Sequence, residues 1–529
     1  MTGVSLEGLC RLASPGCCLA SAAPRRRFSR EPAHCHFSHL IVTRPEPPHP
    51  RVTHARLDQR PTSERDMNGI VAFLRKLGVN RAVFYSLLTR GAQSANALVT
   101  IGFVGRFLTP VGQGYYYTIL SFVAFVLLGE FGLNYAVMQS ASHESAALTG
   151  GENAAAVNTR TRHRLRLLLS GADRVNACTT TLAVLIVAGI GTHLLGAARG
   201  VDVADETAWA GPWTLAILAV AANQLLAPRV ALLEGVGEVT AVWQFRLRQE
   251  FLIAAVLWGA LASGLGLWSV GLAYATRFVN VSFWLRSHRA ARLVRELGRP
   301  SAEDRPRSTY WRTEVWPFQW RIGLSGLAGY MIFQLFTPIM FALHGARVAG
   351  QFGMTLTITN GLLIAMTAWL NSQAPLYGRL IAQRAYDELN SQFARAVRSS
   401  FAVVAAVSLV LVSLVALLES RAHPMSERVL PTVPFALLTA STVLNHLIFA
   451  LAVYLRAHRK EPLLIISLCG AIATPLTLYV TARFATVTWV AGSYLALTLL
   501  GGLVTLSIFV SRSRAWHARE LVVGSTDGA

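Results

Sequence analysis

Residues 81–139 read RAVFYSLLTRGAQSANALVTIGFVGRFLTPVGQGYYYTILSFVAFVLLGEFGLNYAVMQ. Two apolar runs follow one another here, split only by the turn at Thr109-Pro110, and each is near the ~20 residues that cross a hydrocarbon core about 30 Å thick. The charges inside them are few: Arg90, Arg106 and Glu130. A helix resting on a soluble core would show one polar face, and these runs are apolar nearly all round, which marks a membrane hairpin. The same signature recurs to the end of the chain. We place spans near 84–108, 114–139, 175–196, 211–234, 246–264, 266–286, 318–342, 352–376, 399–418, 430–455, 462–481 and 487–510. Lipid cannot hydrogen-bond an open backbone, so the runs must be helices and the fold class is all-α, polytopic.

Composition agrees. Of 529 residues, 53% are hydrophobic and 14% charged, and the mean hydropathy is +0.43; that is too apolar for a string of water-soluble domains, and no stretch is left for a soluble catalytic one. The net charge of +21 would point to nucleic acid in a soluble protein, but here it sits in short segments between spans. Arg75, Lys76 and Arg81, Arg160–Arg174, Arg286–Arg312, Arg379–Arg398, Arg456–Lys460 and Arg512–Arg519 share one side, against scattered Arg199, Arg347, Arg421, Arg428 and Arg483 on the other. The positive-inside rule makes the first side cytoplasmic, with both termini there. Below, these two sides are the basic end and the far end. Cys10, Cys17, Cys18 and Cys35 precede the spans while Cys178 and Cys469 lie inside them, which implies neither a disulfide framework nor a metal site.

Residues 1–66 are rich in Arg, Pro, His and Ser and lack a secretory apolar segment, so we expect a disordered extension or an over-extended gene start, with Met67 opening the protein proper and export unaffected by removal of what precedes it. The longest basic segment, 287–316, then divides 67–286 from 317–510, six spans each, leaving a tail over 511–529. The halves echo one another: VGQGYYYTILSFVAFVLL from Val111 resembles AGQFGMTLTITNGLLIAM from Ala349, with Asn134 and Asn371 near-counterparts. Two six-span halves of like orientation are the parallel repeat of alternating-access carriers, two lobes around a central cavity.

Ionised side chains at mid-membrane cost ~2.5–3.5 kcal/mol on insertion scales and usually face a wet cavity or a partner. Arg277 and Arg90 are too deep to snorkel and suit a cationic cavity; Arg229, beside Pro228, is divided between the two roles; Arg321 and Arg106 lie near interfaces that guanidinium groups can reach without a ligand. Several guanidinium groups in one cavity would grip an anionic head such as a pyrophosphate. Glu130 is either a proton-coupling carboxylate or the ion-pair partner of Arg90 at matching depth, and His446 is either an ion-coupling group or a helix-to-helix hydrogen bond. Asn134, Asn360 and Asn371 are candidates for sugar hydroxyls lining the pathway, or for helix-to-helix bonds.

No Walker loop is present, so no nucleotide hydrolysis within this chain drives it. The far-end loops are short, which argues against a membrane polymerase or ligase of surface glycans. An arginine-bearing first span, a short turn, a Gly-aromatic second span ending in EFGLN, and the second-half opening WPFQWRIGLSGLAGYMIFQLFTPIMF together resemble the O-antigen (Wzx-type) flippases of the multidrug, oligosaccharidyl-lipid and polysaccharide exporter superfamily over about Val83–Val510. The resemblance implies a non-enzymatic carrier in a bacterial inner membrane, without cofactor, moving undecaprenyl-pyrophosphate-linked oligosaccharide outward through a cationic cavity. Arg90, Arg277, Arg229 and Arg321 fit that description. Membrane lipids, a polysaccharide polymerase and chain-length proteins are the implied partners, and nucleic acid is not. A cation-coupled multidrug exporter of the same fold is the nearest alternative, and a membrane-bound glycan transferase the more distant one.

Overall fold

Every apolar run becomes helix in the computed structural model, which describes residues 81–146, 154–197, 208–297, 311, 315–458 and 462–526; the extension 1–66 and most of the segment 298–314 lie outside these. In chain order the helices are α1 (Arg81–Phe107), α2 (Pro110–Leu128), α3 (Leu133–Ala146), α4 (Ala154–Ala197), α5 (Ala210–Gln224), α6 (Ala227–Gly235), α7 (Val239–Ala262) and α8 (Trp268–Ser287). After the short α9 (Arg292–Leu297) come α10 (Trp316–Phe333), α11 (Phe336–Ser372), α12 (Ala374–Ala382), α13 (Tyr386–Ser420), α14 (Thr432–Ala457), α15 (Leu464–Phe484) and α16 (Val487–Thr526). Eight stretches among the described residues are membrane-crossing by length and apolarity alone, and one of them, Gln319–Ala382, runs 64 residues, enough for two passes. With the more polar α1, α7 and α8, they answer the twelve predicted spans one for one.

Local chemistry sets the breaks. Thr109 caps α2 through Oγ1, which accepts from Gly112 N at 3.0 Å, and Pro110 fills the first turn, where its missing N–H costs nothing. The second span does not run straight through 114–139 as predicted. It stops at Gly129, turns through Phe131 (φ 47°) and Gly132 (φ 74°), and restarts as α3. The fourth span breaks likewise at Leu225–Leu226, one turn before Pro228, which sits in the first turn of α6. Three helices outrun their apolar cores at the basic end: α4 begins at Ala154, α13 at Tyr386, and α16 continues to Thr526. Hydropathy falls where charges begin, but the backbone ladder carries on, and in α4 the polar turns are tied down by Arg164–Glu144 (2.9 Å, to α3) and Arg162–Glu296 (3.2 Å, to α9).

The described residues belong to one contact unit, Gly69–Ala529. Within it, α1 packs on α7, α5 on α8 and α3 on α6 in one lobe, while α14 packs on α16, α10 on α15 and α13 on α14 in the other. The lobes meet chiefly along α2 and α11, the helices that carry the repeated segments. Their crossing is close because Gly114 has no side chain: a Cβ there would lie 1.9 Å from the Ala346 carbonyl oxygen. Tyr115 meets Phe341 edge to face across the same contact, with centroids 5.0 Å apart, and a continuous buried core extends from it into both lobes.

Candidate substrate cleft and the polar core of the first lobe

Two seams separate the lobes, and they differ. Along the first, α2 and its extension lie on α10: Tyr330 Oη donates to Ser121 O at 3.1 Å, and at the basic end Phe131 enters a notch at Gly323, where a Cβ would sit 2.3 Å from the Phe131 ring. Phe131 reaches it because its backbone is held in the left-handed region, an uncommon place for a bulky residue. Along the second seam, α1 faces α11, and contact is seen at the far end: a Cβ on Gly105 would come 3.1 Å from Met425 and 3.8 Å from Met354. Toward the basic end both helices are open. Leu87 and Leu88 near the basic end of α1 and Trp369 near that of α11 are exposed, as are Leu98 and Val99 past the middle of α1 and Ile364 at mid-span in α11. Along this seam the lobes touch at the far end through Gly105, Met425 and Met354, and the apolar side chains nearer the basic end are uncovered.

Arg90 lies on that edge. Arg90, Ser94, Ala97, Ile101 and Gly105 recur every three or four residues, one stripe of α1, and its far-end member Gly105 touches the second lobe while Arg90 is exposed. Among the described residues Arg90 has no carboxylate partner. Beside that stripe α1 presents its exposed apolar face.

The other candidates fall elsewhere. Arg277 lies inside the first lobe, where its Nη2 is 3.0 Å from Glu250 Oε1; the side chains are 28% and 14% exposed. Gln93 Nε2 reaches across from α1 to the same oxygen at 3.1 Å, so Arg277, Glu250 and Gln93 form a bridge ending less than one turn from Arg90. Asn96 and Thr100 continue the attachment of α1 to α7, through Glu250 O (3.4 Å) and Trp258 Nε1 (2.9 Å). Arg229 pairs with Asp173 at 2.9 Å, joining α6 to α4. Arg321 is exposed beside the ring of Trp320, on the side of α10 turned away from Gly323 and Tyr330.

Glu130 does not meet Arg90. The break after Gly129 turns it toward α5, where Oε2 accepts from Gln224 Nε2 (3.4 Å) and from Asn134 Nδ2. It also lines a cavity of about 400 Å³ between the lobes, whose other polar residues are Tyr330 and Gln334. Asn134 borders a second cavity, about 270 Å³, within the first lobe together with Asn223, Gln249, Arg246 and Arg277. Asn371 is exposed near the basic end of α11 and Asn360 half-buried higher on it, so the near-counterparts Asn134 and Asn371 occupy different settings. His446 is buried at the α13–α14 contact, with Nε2 3.0 Å from Ser400 Oγ. Among the described residues no cluster of His, Cys, Asp and Glu is arranged to hold a metal ion.

Glu250, Gln93, Gln224 and Asp173 were not singled out by sequence. For Gln93 and Glu250 the signal was the count of polar residues in the less apolar spans α1 and α7, which marks helices buried against each other without saying who pairs with whom; Gln224 and Asp173, in α5 and α4, had no such signal.

The sequence matches no family model, and no curated protein is similar to it at a significant level. Solved structures are similar in fold. An inward-facing multidrug resistance MATE family transporter of the MOP superfamily superposes with TM-score 0.54 at 14% identity, over 80% of this chain and 99% of the other. A variant of a Vibrio cholerae MATE transporter gives 0.50 at 13%, over 82% and 96%. At these identities the likeness is one of fold: a multi-pass, twelve-helix bundle in two lobes.

Proposed function

We propose that this chain is an alternating-access exporter whose cargo is a lipid carrying a phosphate-linked oligosaccharide, moved from the cytoplasmic to the outer leaflet of a bacterial inner membrane, with the basic end and both termini cytoplasmic. The observation that carries this reading is Arg90, an exposed cation on the cleft stripe of α1, next to an apolar face of the same helix that opens to the bilayer. A lipid-linked anion needs that adjacency, because its head must enter a polar cleft while its tail stays in hydrocarbon. A guanidinium suits the head through charge-assisted, bidentate hydrogen bonds. Arg277 serves as a positioning residue, holding α1 through Glu250 and Gln93. Asn360 and Asn371, on the facing helix, are the sugar contacts. Arg229 and His446 are held in contacts within their own lobes, and Arg321 is an interfacial anchor. A glycan polymerase and chain-length proteins are the partners that such a cargo calls for.

The reading is tested in a cell whose surface polysaccharide depends on this chain. Arg90→Ala should lower surface display while lipid-linked repeat units build up inside, and Arg90→Lys should restore it in part, since charge returns without the fork. Full display by Arg90→Ala, with normal insertion, would remove the arginine from the site.

A cation-coupled multidrug exporter of the same fold is the second reading, and one observation favours it: among the described residues the inter-lobe cavity is lined by the carboxylate of Glu130 and by no arginine.

A further inference from the structure

The repeated (Val/Ala)-Gly-Gln segments place glutamines at Gln113 and Gln351, one per lobe. Both side chains end on the same short segment, the loop between α13 and α14. Gln351 Nε2 donates to Glu427 O at 3.0 Å. Gln113 Nε2 donates to the next carbonyl, Arg428 O, at 2.8 Å, and also to Gly350 O at 2.8 Å, while its Oε1 accepts from Arg428 Nη1 at 3.4 Å. Gln113 is 1% exposed. It belongs to the first lobe, and the partners of its side chain belong to the second.

The loop itself is fastened to the second lobe. Leu430 N donates to Thr355 Oγ1 at 3.1 Å, Thr432 N to Glu419 Oε2 at 2.8 Å, and Arg347 pairs with Glu427 at 2.7 Å. Inside it, His423 caps a 3₁₀ turn over Pro424–Arg428, accepting from Met425 N at 3.2 Å through Nδ1. Met425 then lies over Gly105, the point where α1 touches the other lobe. The loop thus crosses both far-end contacts, α2 with α11 and α1 with α11.

We infer that residues 423–430 form the far-end gate of the carrier, a strap that travels with the second lobe and is latched to the first by Gln113 and by Met425 against Gly105. The inference rests on the exporter reading above. Opening at the far end breaks the three Gln113 hydrogen bonds and keeps the Gln351, Thr355 and Arg347 contacts. The two related glutamines have therefore taken different work: Gln351 fastens the strap to its own lobe, and Gln113 is the bolt.

Two measurements on the full chain, in a background without other cysteines, test this. Spin labels at Phe107→Cys and Arg421→Cys, both exposed at the far end, report the gap between lobes with no cargo present. Gln113→Leu should raise the wide-gap population about tenfold, as expected when a net hydrogen-bond worth or two is lost from one state; Gln351→Leu, which loosens a bond within one lobe, should raise it less. Separately, Gly105→Cys and Met425→Cys bridged by a short bifunctional thiol reagent should stop export, with recovery on reduction. An unchanged gap in Gln113→Leu, or full export through the bridged protein, overturns the gate. A gap that responds while no lipid-linked oligosaccharide moves in any variant upholds the gate and removes the cargo reading instead.

Discussion

Replacing Arg277 separates a binding role from a positioning one. Arg277→Ala leaves Glu250 without its ion-pair partner, keeping one side-chain donor, Gln93. Removing one member of a fully buried pair costs roughly 3–5 kcal/mol. The chamber is wetter than that, since 28% of Arg277 and 14% of Glu250 are exposed, so the expected loss of stability is about 2 kcal/mol, roughly thirtyfold in the unfolding equilibrium. Arg277→Met with Glu250→Gln removes both charges together and should stay within about 1 kcal/mol of the parent, because exchanging a buried pair for neutral groups of similar volume is often neutral. The assay is reversible unfolding in mixed micelles, followed by tryptophan fluorescence and closed as a double-mutant cycle. Export should track stability: lost in Arg277→Ala, largely regained in the double variant. Additive stabilities, or a double variant as dead as the single, would refute the positioning role and return Arg277 to the list of groups that hold the cargo.

Two further outcomes follow from the same geometry. Gly114→Ala sets a Cβ 1.9 Å from a backbone oxygen, so the far end should fail to close and the label pair at Phe107 and Arg421 should report a wide gap in a protein that still inserts. Glu130→Gln should leave polysaccharide display intact and drug susceptibility unchanged on overexpression; a drug-export phenotype that this substitution abolishes would favour the cation-coupled reading.

The course of the chain was legible because hydrocarbon imposes one local rule, and runs of about twenty apolar residues obey it. The breaks were less so. EFGLN and Pro228 carried the residues that interrupt helices, but whether such residues bend, break or merely sit in a span depends on what the turn can pack against, and Phe131 packs into the notch that Gly323 of the other lobe leaves. The polar site was least legible. Depth along a span can be counted from the sequence, which is why Arg90 and Glu130 looked like partners; direction around the helix cannot be carried past a break, and the turn at Gly129 sends Glu130 toward Gln224. Arg277 looked too deep to snorkel and Arg229 was divided between cavity and interface; the carboxylates beside them are Glu250 and Asp173, each from the neighbouring span.

The unequal seams have a mechanical consequence. With Phe131 socketed at Gly323, Tyr330 bonded to Ser121 and Gly114 crossing Ala346, the bundle resembles a book bound along α2, which holds both α10 and α11, with its fore-edge toward the basic ends of α1 and α11. Clearance in such a hinge grows with distance from the binding, so a small rotation that leaves the spine packed opens the fore-edge most, and a cargo as bulky as the one proposed would not need a comparable loss of contact between the halves.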